Sequence, residues 1–163
     1  MKILYYLLYI VVCIAFRNDF IWSSYLWLHS HSENHIGFAV VLFWYEKKLR
    51  SNNSWIGYKC KISNKPHFPH GISGIFISHE ANIGNDCVIY QQVTIGSNKL
   101  RTSHSYGAPT VGDNVLIGAG AKIIGNCKIG NNVHIGANCS VVKNIPNNAV
   151  VVPMTRVLER NNH

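Results

Sequence analysis

Charge is scarce in this 163-residue chain: Asp, Glu, Lys and Arg together make up 13% of it, where about a quarter is usual in soluble domains. Acidic residues are the scarcest, 7 against 15 basic ones, for a formal net charge of +8. A chain with so few ion-pairing groups is poorly suited to helices laced with salt bridges. Its polar surface falls instead to Asn, Ser, Gly and Thr, a balance that suits stacked β-coils. Apolar residues make up 47%, enough for the core of one principal domain with a modest attachment.

Other absences narrow the function. A positive field suits nucleic acid, an anionic membrane surface or a phosphate-rich small ligand. No basic run exceeds Lys47-Lys48, and no zinc-finger or RNP-like pattern occurs, so nucleic acid is not an expected partner. The five cysteines, Cys13, Cys60, Cys87, Cys127 and Cys139, never form a C-x-x-C pair and are odd in number. That argues against zinc and redox motifs and fits a reducing compartment, the cytoplasm.

Long apolar runs are missing too. The longest, Ile3 to Phe16, covers 14 residues before Arg17 and Asp19 close it, whereas a spanning helix needs roughly 20. No small-x-small cleavage site follows it. Two readings stand: a buried helix packed on a partner subunit, which is favoured, and peripheral contact of residues 3–16 with a membrane.

What is present divides the chain in two. Residues 1–60 read as helical, with Leu42, Phe43, Tyr45 and Leu49 at helical spacing and Glu46-Lys47-Lys48 as a polar face. Ser51-Asn52-Asn53-Ser54 breaks that pattern. Residues 61–163 carry a six-residue period. Aliphatics fall at Ile77, Ile83, Ile89 and Ile95, then at Val111, Ile117, Ile123, Ile129, Ile135 and Val141. Two positions before each sits a mostly small residue: Ile75, Ala81, Cys87, Val93, Pro109, Val115, Ala121, Cys127, Val133 and Cys139.

In a strand, residues two apart share a side, so both marked positions point inward. The return at the sixth residue requires a corner, and the Gly or Asn that follows the aliphatic is expected to supply backbone freedom there. Three short strands per turn form a triangular coil, and stacked coils bury a continuous core. On this pattern Cys87, Cys127 and Cys139 are core filler. Between Ile95 and Val111 sixteen residues stand where six would do, so about ten bulge out. The loop, residues 97–108, is polar, basic and expected to be functional.

Several strings then resemble a known family. They are Pro69-His70-Gly71-Ile72-Ser73-Gly74-Ile75-Phe76-Ile77, Tyr90-Gln91-Gln92-Val93-Thr94-Ile95-Gly96, the run from Ala108 to Gly125, and the exit Val141-Val142-Lys143-Asn144-Ile145-Pro146. The stretch from Pro69 to Val152, just over half of the chain, is similar to serine acetyltransferases and related acetyltransferases of surface-polysaccharide clusters. The resemblance implies a mainly β fold, a left-handed parallel β-helix of hexapeptide repeats behind a short N-terminal helical region. It also implies a homotrimer with sites in the clefts between subunits, acetyl-CoA as co-substrate and no metal.

The resemblance makes His70 the general base, since an alcohol is a weak nucleophile until its proton is taken. Backbone N–H groups would hold the oxyanion. Gly96, Ala119, Gly120 and Ala137 match the small positions where pantetheine runs close to the backbone. Ser97, Lys99 and Arg101 are further candidates for the cofactor, the two cations for its phosphates. His104 in the loop and His79 at a corner are candidates for contacting the acceptor, each with a solvated role as the alternative.

Three departures bear on the acceptor and on the base. Amino-acid-specific members have Asp where this chain has Pro69, and Arg-His where it has Gly107-Ala108. Those losses remove groups that would grip serine's ammonium and carboxylate. The family's upstream Asp that orients the histidine is also missing, since no acidic residue lies between Glu46 and Glu80. The orienter is absent or comes from elsewhere. The chain ends Arg160-Asn161-Asn162-His163, not in the Ile-terminated tail that binds the next enzyme of cysteine synthesis. The expected activity is therefore acetyl transfer to a sugar or surface-polysaccharide hydroxyl, with serine as the alternative.

Two readings from other classes stand beside it. A zinc carbonic anhydrase on such coils needs three histidines close together, and His79, His104 and His134 are too far apart in sequence. His31 and His35 have the spacing but lie in the helical part. A non-catalytic scaffold or binding coil needs neither the loop nor a histidine at the coil entry.

Overall fold

The computed structural model describes residues 19–35 and 37–154. The expectations for residues 3–16 and for Arg160 to His163 lie outside the described residues.

Two helices precede the β-coil. In α1 (Phe20–Ser30) the N-cap Asp19 accepts a hydrogen bond from the Trp22 N–H at 3.4 Å. The second helix, α2 (Phe38–Arg50), opens at Gly37, whose φ of 95° is in the left-handed region. Lys47, Lys48 and Arg50 crowd its last turn, where cations meet the negative end of the helix dipole. Two buried tyrosines tie the hairpin to the coil. The Tyr25 hydroxyl donates to the Cys60 carbonyl at 2.6 Å and accepts from the Ile62 N–H at 3.1 Å; that of Tyr45 donates to the Ile56 carbonyl at 2.8 Å. Among the described residues no helix is long and apolar enough to cross a membrane.

From Trp55 onward the chain winds a three-sided prism of parallel strands. The first face stacks β1 (Trp55–Ile56), β3 (Phe76–Ile77), β6 (Thr94–Gly96), β9 (Lys122–Ile124) and β12 (Ser140–Val141). The second stacks β2 (Lys61–Ile62), β4 (Asn82–Ile83), β7 (Thr110–Val111) and β10 (Lys128–Ile129). The third stacks β5 (Val88–Ile89), β8 (Leu116–Ile117), β11 (His134–Ile135) and β13 (Val150–Val151). Every pairing is parallel, so the backbone groups of each inner strand are met by the coils above and below.

Register follows the inward columns. Phe76 pairs with Thr94 and Lys122 with Ser140, steps of 18 residues, which is one triangular coil. Thr94 pairs with Lys122, a step of 28, and the extra ten residues are the bulging loop. Every residue marked as inward from the repeat is buried. Cys60, Cys87, Cys127 and Cys139 are free thiols in that interior, and burial pushes the Cys60 thiol up to about 12, so it packs as a neutral small hydrophobe.

Two expectations need correcting. The coil begins earlier than the repeat suggested, because β1 lies within residues 1–60. Ile56, Ile62 and Phe68 hold the six-residue phase, with Ser54, Cys60 and Pro66 buried two positions before them. Phe68 to Ile77 is nine residues rather than six, and those three extra residues hide the first coil from the pattern. The glycines after the aliphatics are also not there for backbone freedom. A Cβ at Gly84 would stand 2.5 Å from the Gly112 carbonyl oxygen, and one at Gly130 2.5 Å from the Asn147 nitrogen. The next coil comes too close for a side chain, while the left-handed backbone falls two residues later, at Asp86, Asn114, Asn132 and Asn148.

Ile123 sits mid-stack with 0% exposure. Ile123→Ala is expected to cost about 2–5 kcal/mol through lost burial and a cavity that stacked coils cannot close. Chemical denaturation checks this, and a cost below about 1 kcal/mol would mean that the coils slide together.

Candidate functional site

Chemistry collects at the corners of the prism, because the strands are too short to carry it. The corner between the second and third faces is structural. Asn64 and Asp86 bond each other, Asp113 accepts from the Asn85 N–H and side-chain amide, and Asn131 and Asn147 continue the column. Asn114, Asn132 and Asn148 form a second ladder beside it.

The corner between the third and first faces holds His70. It lies in the three-residue insertion, whose turns put Gly71 and Gly74 at φ of 70° and 69°. The imidazole is exposed. Its Nδ1 lies 2.8 Å from the Gln91 Oε1, and its ring meets the Tyr90 ring edge-on at 5.5 Å between centroids. In the tautomer whose Nδ1–H donates to that amide oxygen, Nε2 keeps its lone pair. No carboxylate contacts His70 among the described residues; the group at its Nδ1 is the neutral Gln91 amide.

Ala119, Gly120 and Ala137 continue the same corner along the stack. The Gly120 N–H donates to the Gln91 carbonyl at 3.0 Å and the Asn138 N–H to the Ala119 carbonyl at 2.8 Å. A cation unmarked in the sequence reading also belongs here: Lys122 Nζ donates to the carbonyls of Gln92 (2.7 Å) and Gly120 (2.9 Å).

The corner between the first and second faces carries the remaining candidates. The loop that follows Gly96 is closed by an antiparallel bridge between Asn98 and Gly107, with N–H···O distances of 2.8 and 3.0 Å. Inside it the Asn98 side-chain amide donates to the Ser103 and Ser105 hydroxyls at 3.0 and 2.9 Å. Lys99 forms an exposed ion pair with Glu80, which Ser97 also approaches at 3.4 Å. The Lys99 hydrogen bond holds the Glu80 carboxyl below the usual carboxylate range. Arg101 and His104 are exposed and have no polar partner among the described residues. Gly107 has φ of 125°, and a Cβ there would lie 3.2 Å from that of Asn126. A side chain at 107 would therefore be strained by that φ and would need Asn126 to give way by a few tenths of an ångström.

His79 shares this corner but is engaged elsewhere. Its ring packs edge-on against Trp55 and Tyr58, at 5.9 and 5.2 Å, and its Nδ1 accepts weakly from the Lys59 N–H at 3.4 Å. Its expected freedom to meet an acceptor is thus taken up by the first coil, which the repeat had not revealed.

One chain therefore brings His70 together with Ala119, Gly120 and Ala137, and separately brings Gly96, Ser97, Lys99, Arg101 and His104 together. The two groups lie on different corners of the prism. Gln91 was readable only with the coil length in hand, being 21 residues beyond His70, one coil plus the insertion. Among the described residues no three His, Cys, Asp or Glu side chains gather to hold a metal ion. His31 and His35 lie 4.6 Å apart between ring centroids, with no third ligand.

Comparisons agree with this architecture. Residues 108–143 match the model of the bacterial transferase hexapeptide (six repeats). The chain is 48% identical over 80 residues to serine acetyltransferase of Mycobacterium tuberculosis, covering 49% of this chain and 34% of that protein. It is 42% identical over 92 residues to serine acetyltransferase of Staphylococcus aureus, covering 56% of this chain and 42% of the other. Among solved structures, serine acetyltransferase isoform 3 of Entamoeba histolytica in complex with cysteine superposes with a TM-score of 0.66 at 29% identity, over 88% of this chain and 50% of that one. A serine acetyltransferase in complex with CoA gives 0.65 at 30% identity, over 80% and 52%. The chain thus spans about half the length of these structures and less than half of the curated relatives it matches. The shared architecture makes the coil a left-handed parallel β-helix.

Burial, then Lys59, lowers the pKa of His79 from its ordinary value, so the folded chain binds fewer protons there than the unfolded chain. That stability is present above about pH 6.5 and is lost as pH falls below it. The melting-temperature advantage of the wild type over His79→Gln is expected to shrink as pH is lowered from about 7.5 to about 5.5. A constant difference across that range would assign His79 no titrating role.

Proposed function

We propose that this chain, a hexapeptide-repeat protein similar to serine acetyltransferases, is an acetyl-CoA-dependent O-acetyltransferase. The observation that carries the reading is His70: an exposed imidazole whose Nδ1 is engaged by Gln91 and whose Nε2 is free, on the same corner as the small residues of the expected cofactor track. The relative solved with CoA supports the cofactor.

In this mechanism Nε2 of His70 takes the hydroxyl proton as the acceptor oxygen attacks the thioester carbon. Backbone N–H groups hold the negative charge on the carbonyl oxygen. The C–S bond then breaks, the imidazolium returns its proton to the leaving sulfur, and an acetyl ester and free CoA result. Ala119, Gly120 and Ala137 leave room for pantetheine beside the coil. Arg101, without a partner, is the better candidate of the loop cations for the cofactor's phosphates, since Lys99 is engaged by Glu80.

The relatives' names support L-serine as acceptor ahead of the sugar or surface-polysaccharide hydroxyl expected from the sequence. A second reading, a neutral hydroxyl compound such as a sugar, rests on one observation. At 107 the backbone φ of 125° and the approach of Asn126 disfavour the Arg that the resemblance implies there in amino-acid-specific members. A thiol-release assay with acetyl-CoA separates the readings. Release is expected with L-serine, and His70→Ala should lower it at least roughly 10²-fold with the oligomer intact. Release with sugars alone would transfer the acceptor to the second reading, and full activity in His70→Ala would remove the mechanism.

Because His70 and the 97–108 loop occupy different corners, the reading requires two chains for one site, as in the expected homotrimer. A chain carrying His70→Ala, co-expressed with one whose loop tip 100–105 is replaced by a short glycine link, is expected to recover activity that neither shows alone. No recovery in the mixed oligomer would place the whole site within one chain.

A further inference from the structure

We infer that Gln91 is the positioning residue for the base, and that its amide oxygen selects the Nδ1–H tautomer of His70 and so leaves Nε2 as the proton acceptor. The inference rests on the activity proposed above but is tested separately from it.

Three observations converge. The contact itself is a side-chain hydrogen bond of 2.8 Å. It joins residues on successive coils at one corner, so its geometry is set by backbone rather than by two floppy chains. And the turn that presents Gln91 is clamped from both sides. Tyr90 N–H donates to the Ile117 carbonyl at 3.0 Å and Gly120 N–H to the Gln91 carbonyl at 3.0 Å, from the coil on one side. From the other side the Gln92 N–H donates to the Ser73 carbonyl at 2.9 Å, within the same insertion that carries His70. Gln92 adopts a φ of 61°, which turns the chain immediately after Gln91, and Lys122 Nζ holds the Gln92 carbonyl at 2.7 Å. Gly74 adds a steric reason for the fit, since a Cβ there would lie 3.0 Å from the Gln92 Cγ.

The chemistry of an amide differs from that of a carboxylate in a way that can be measured. A carboxylate beside Nδ1 accepts one hydrogen bond and also stabilises the imidazolium by charge. An amide oxygen accepts the same bond without charge, so it orients the ring without favouring its protonated form. Orientation and charge are thereby separated at this site. Replacing Gln91 by Glu adds the charge while keeping the acceptor, and replacing it by Leu removes both.

The test uses the full-length protein labelled with 15N-histidine. Long-range 1H–15N correlation spectra report the tautomer, with the His70 signals assigned by their loss in His70→Ala. The wild type is expected in the Nδ1–H form, Gln91→Leu in a mixture, and Gln91→Glu in the Nδ1–H form again. In the thiol-release assay, Gln91→Leu should lower kcat roughly tenfold to a hundredfold with the KM for acetyl-CoA unchanged, part of the roughly 10²–10⁴ that general-base catalysis contributes. Gln91→Glu should restore kcat and move the acid limb of the rate profile to higher pH. An Nε2–H wild type overturns the inference, as does a Gln91→Leu variant with unaltered tautomer and kcat. The spectra do not depend on turnover: a chain that holds the expected tautomer but releases no thiol supports the positioning role and removes the proposed activity instead.

Discussion

The structure depends on one steric demand, that every sixth residue and the one two before it must point into a prism only wide enough for such side chains. Ile95, Ile117, Ile123 and Ile135, all at 0% exposure, are the interlocked products of that demand. Because a strand alternates sides, one extra residue inside it would turn the inward set outward. Insertions are therefore confined to corners. The two in this chain, three residues at one corner and ten at another, carry His70 and His104 respectively. The same constraint that builds the core decides where reactive side chains can be added without disturbing it.

The corners differ in kind. That between the second and third faces repeats Asn and Asp at the same level of each coil, and its ladders meet backbone N–H groups that the turns would otherwise leave unpaired. It has no insertion, and the close approach of the next coil at Gly84 and Gly130 shows how little room it offers. The other two corners give up that regularity. One spends its turn on Gly71, Gly74 and Gly120, the other on a loop with an internal hydrogen-bond network of its own. Regular repetition thus marks the structural corner, and departure from it marks the two that hold the candidate site residues.

Much of this was legible in the residues. The inward columns, the bulging loop and the core role of three cysteines follow from spacing alone, whereas His70 was singled out by the resemblance and lies between the first and second coils rather than at the coil entry. What was hidden had a common cause. The three extra residues around His70 put Ile77 out of phase with Ile56, Ile62 and Phe68, so the first coil read as part of the helical region. Without that coil nothing indicated that Trp55 and Tyr58 would pack on His79, or that Gln91 would lie one coil above His70. The glycines misled for a different reason. Their need is set by the neighbouring coil rather than by their own dihedral angles, and local sequence does not display it.

The net charge of +8 takes on a different meaning once partners are assigned. Lys59 pairs with Glu33, Lys65 with Asp19 and Lys99 with Glu80, all at exposed positions, where such pairs contribute little to stability. They matter by subtraction, since they remove three of the cations available to a phosphate. Around His70 the contacts are the Gln91 amide and the Tyr90 ring, and no carboxylate touches it among the described residues. The identity shared with serine acetyltransferases extends over about half of the chain, and the hexapeptide model matches residues 108–143, within the coil that any acceptor would require. The resemblance implies Asp at the position of Pro69 and Arg at that of Gly107 in amino-acid-specific members, groups that would grip the acceptor's charges. Likeness in the coil therefore argues for the reaction more strongly than for the molecule that receives the acetyl group.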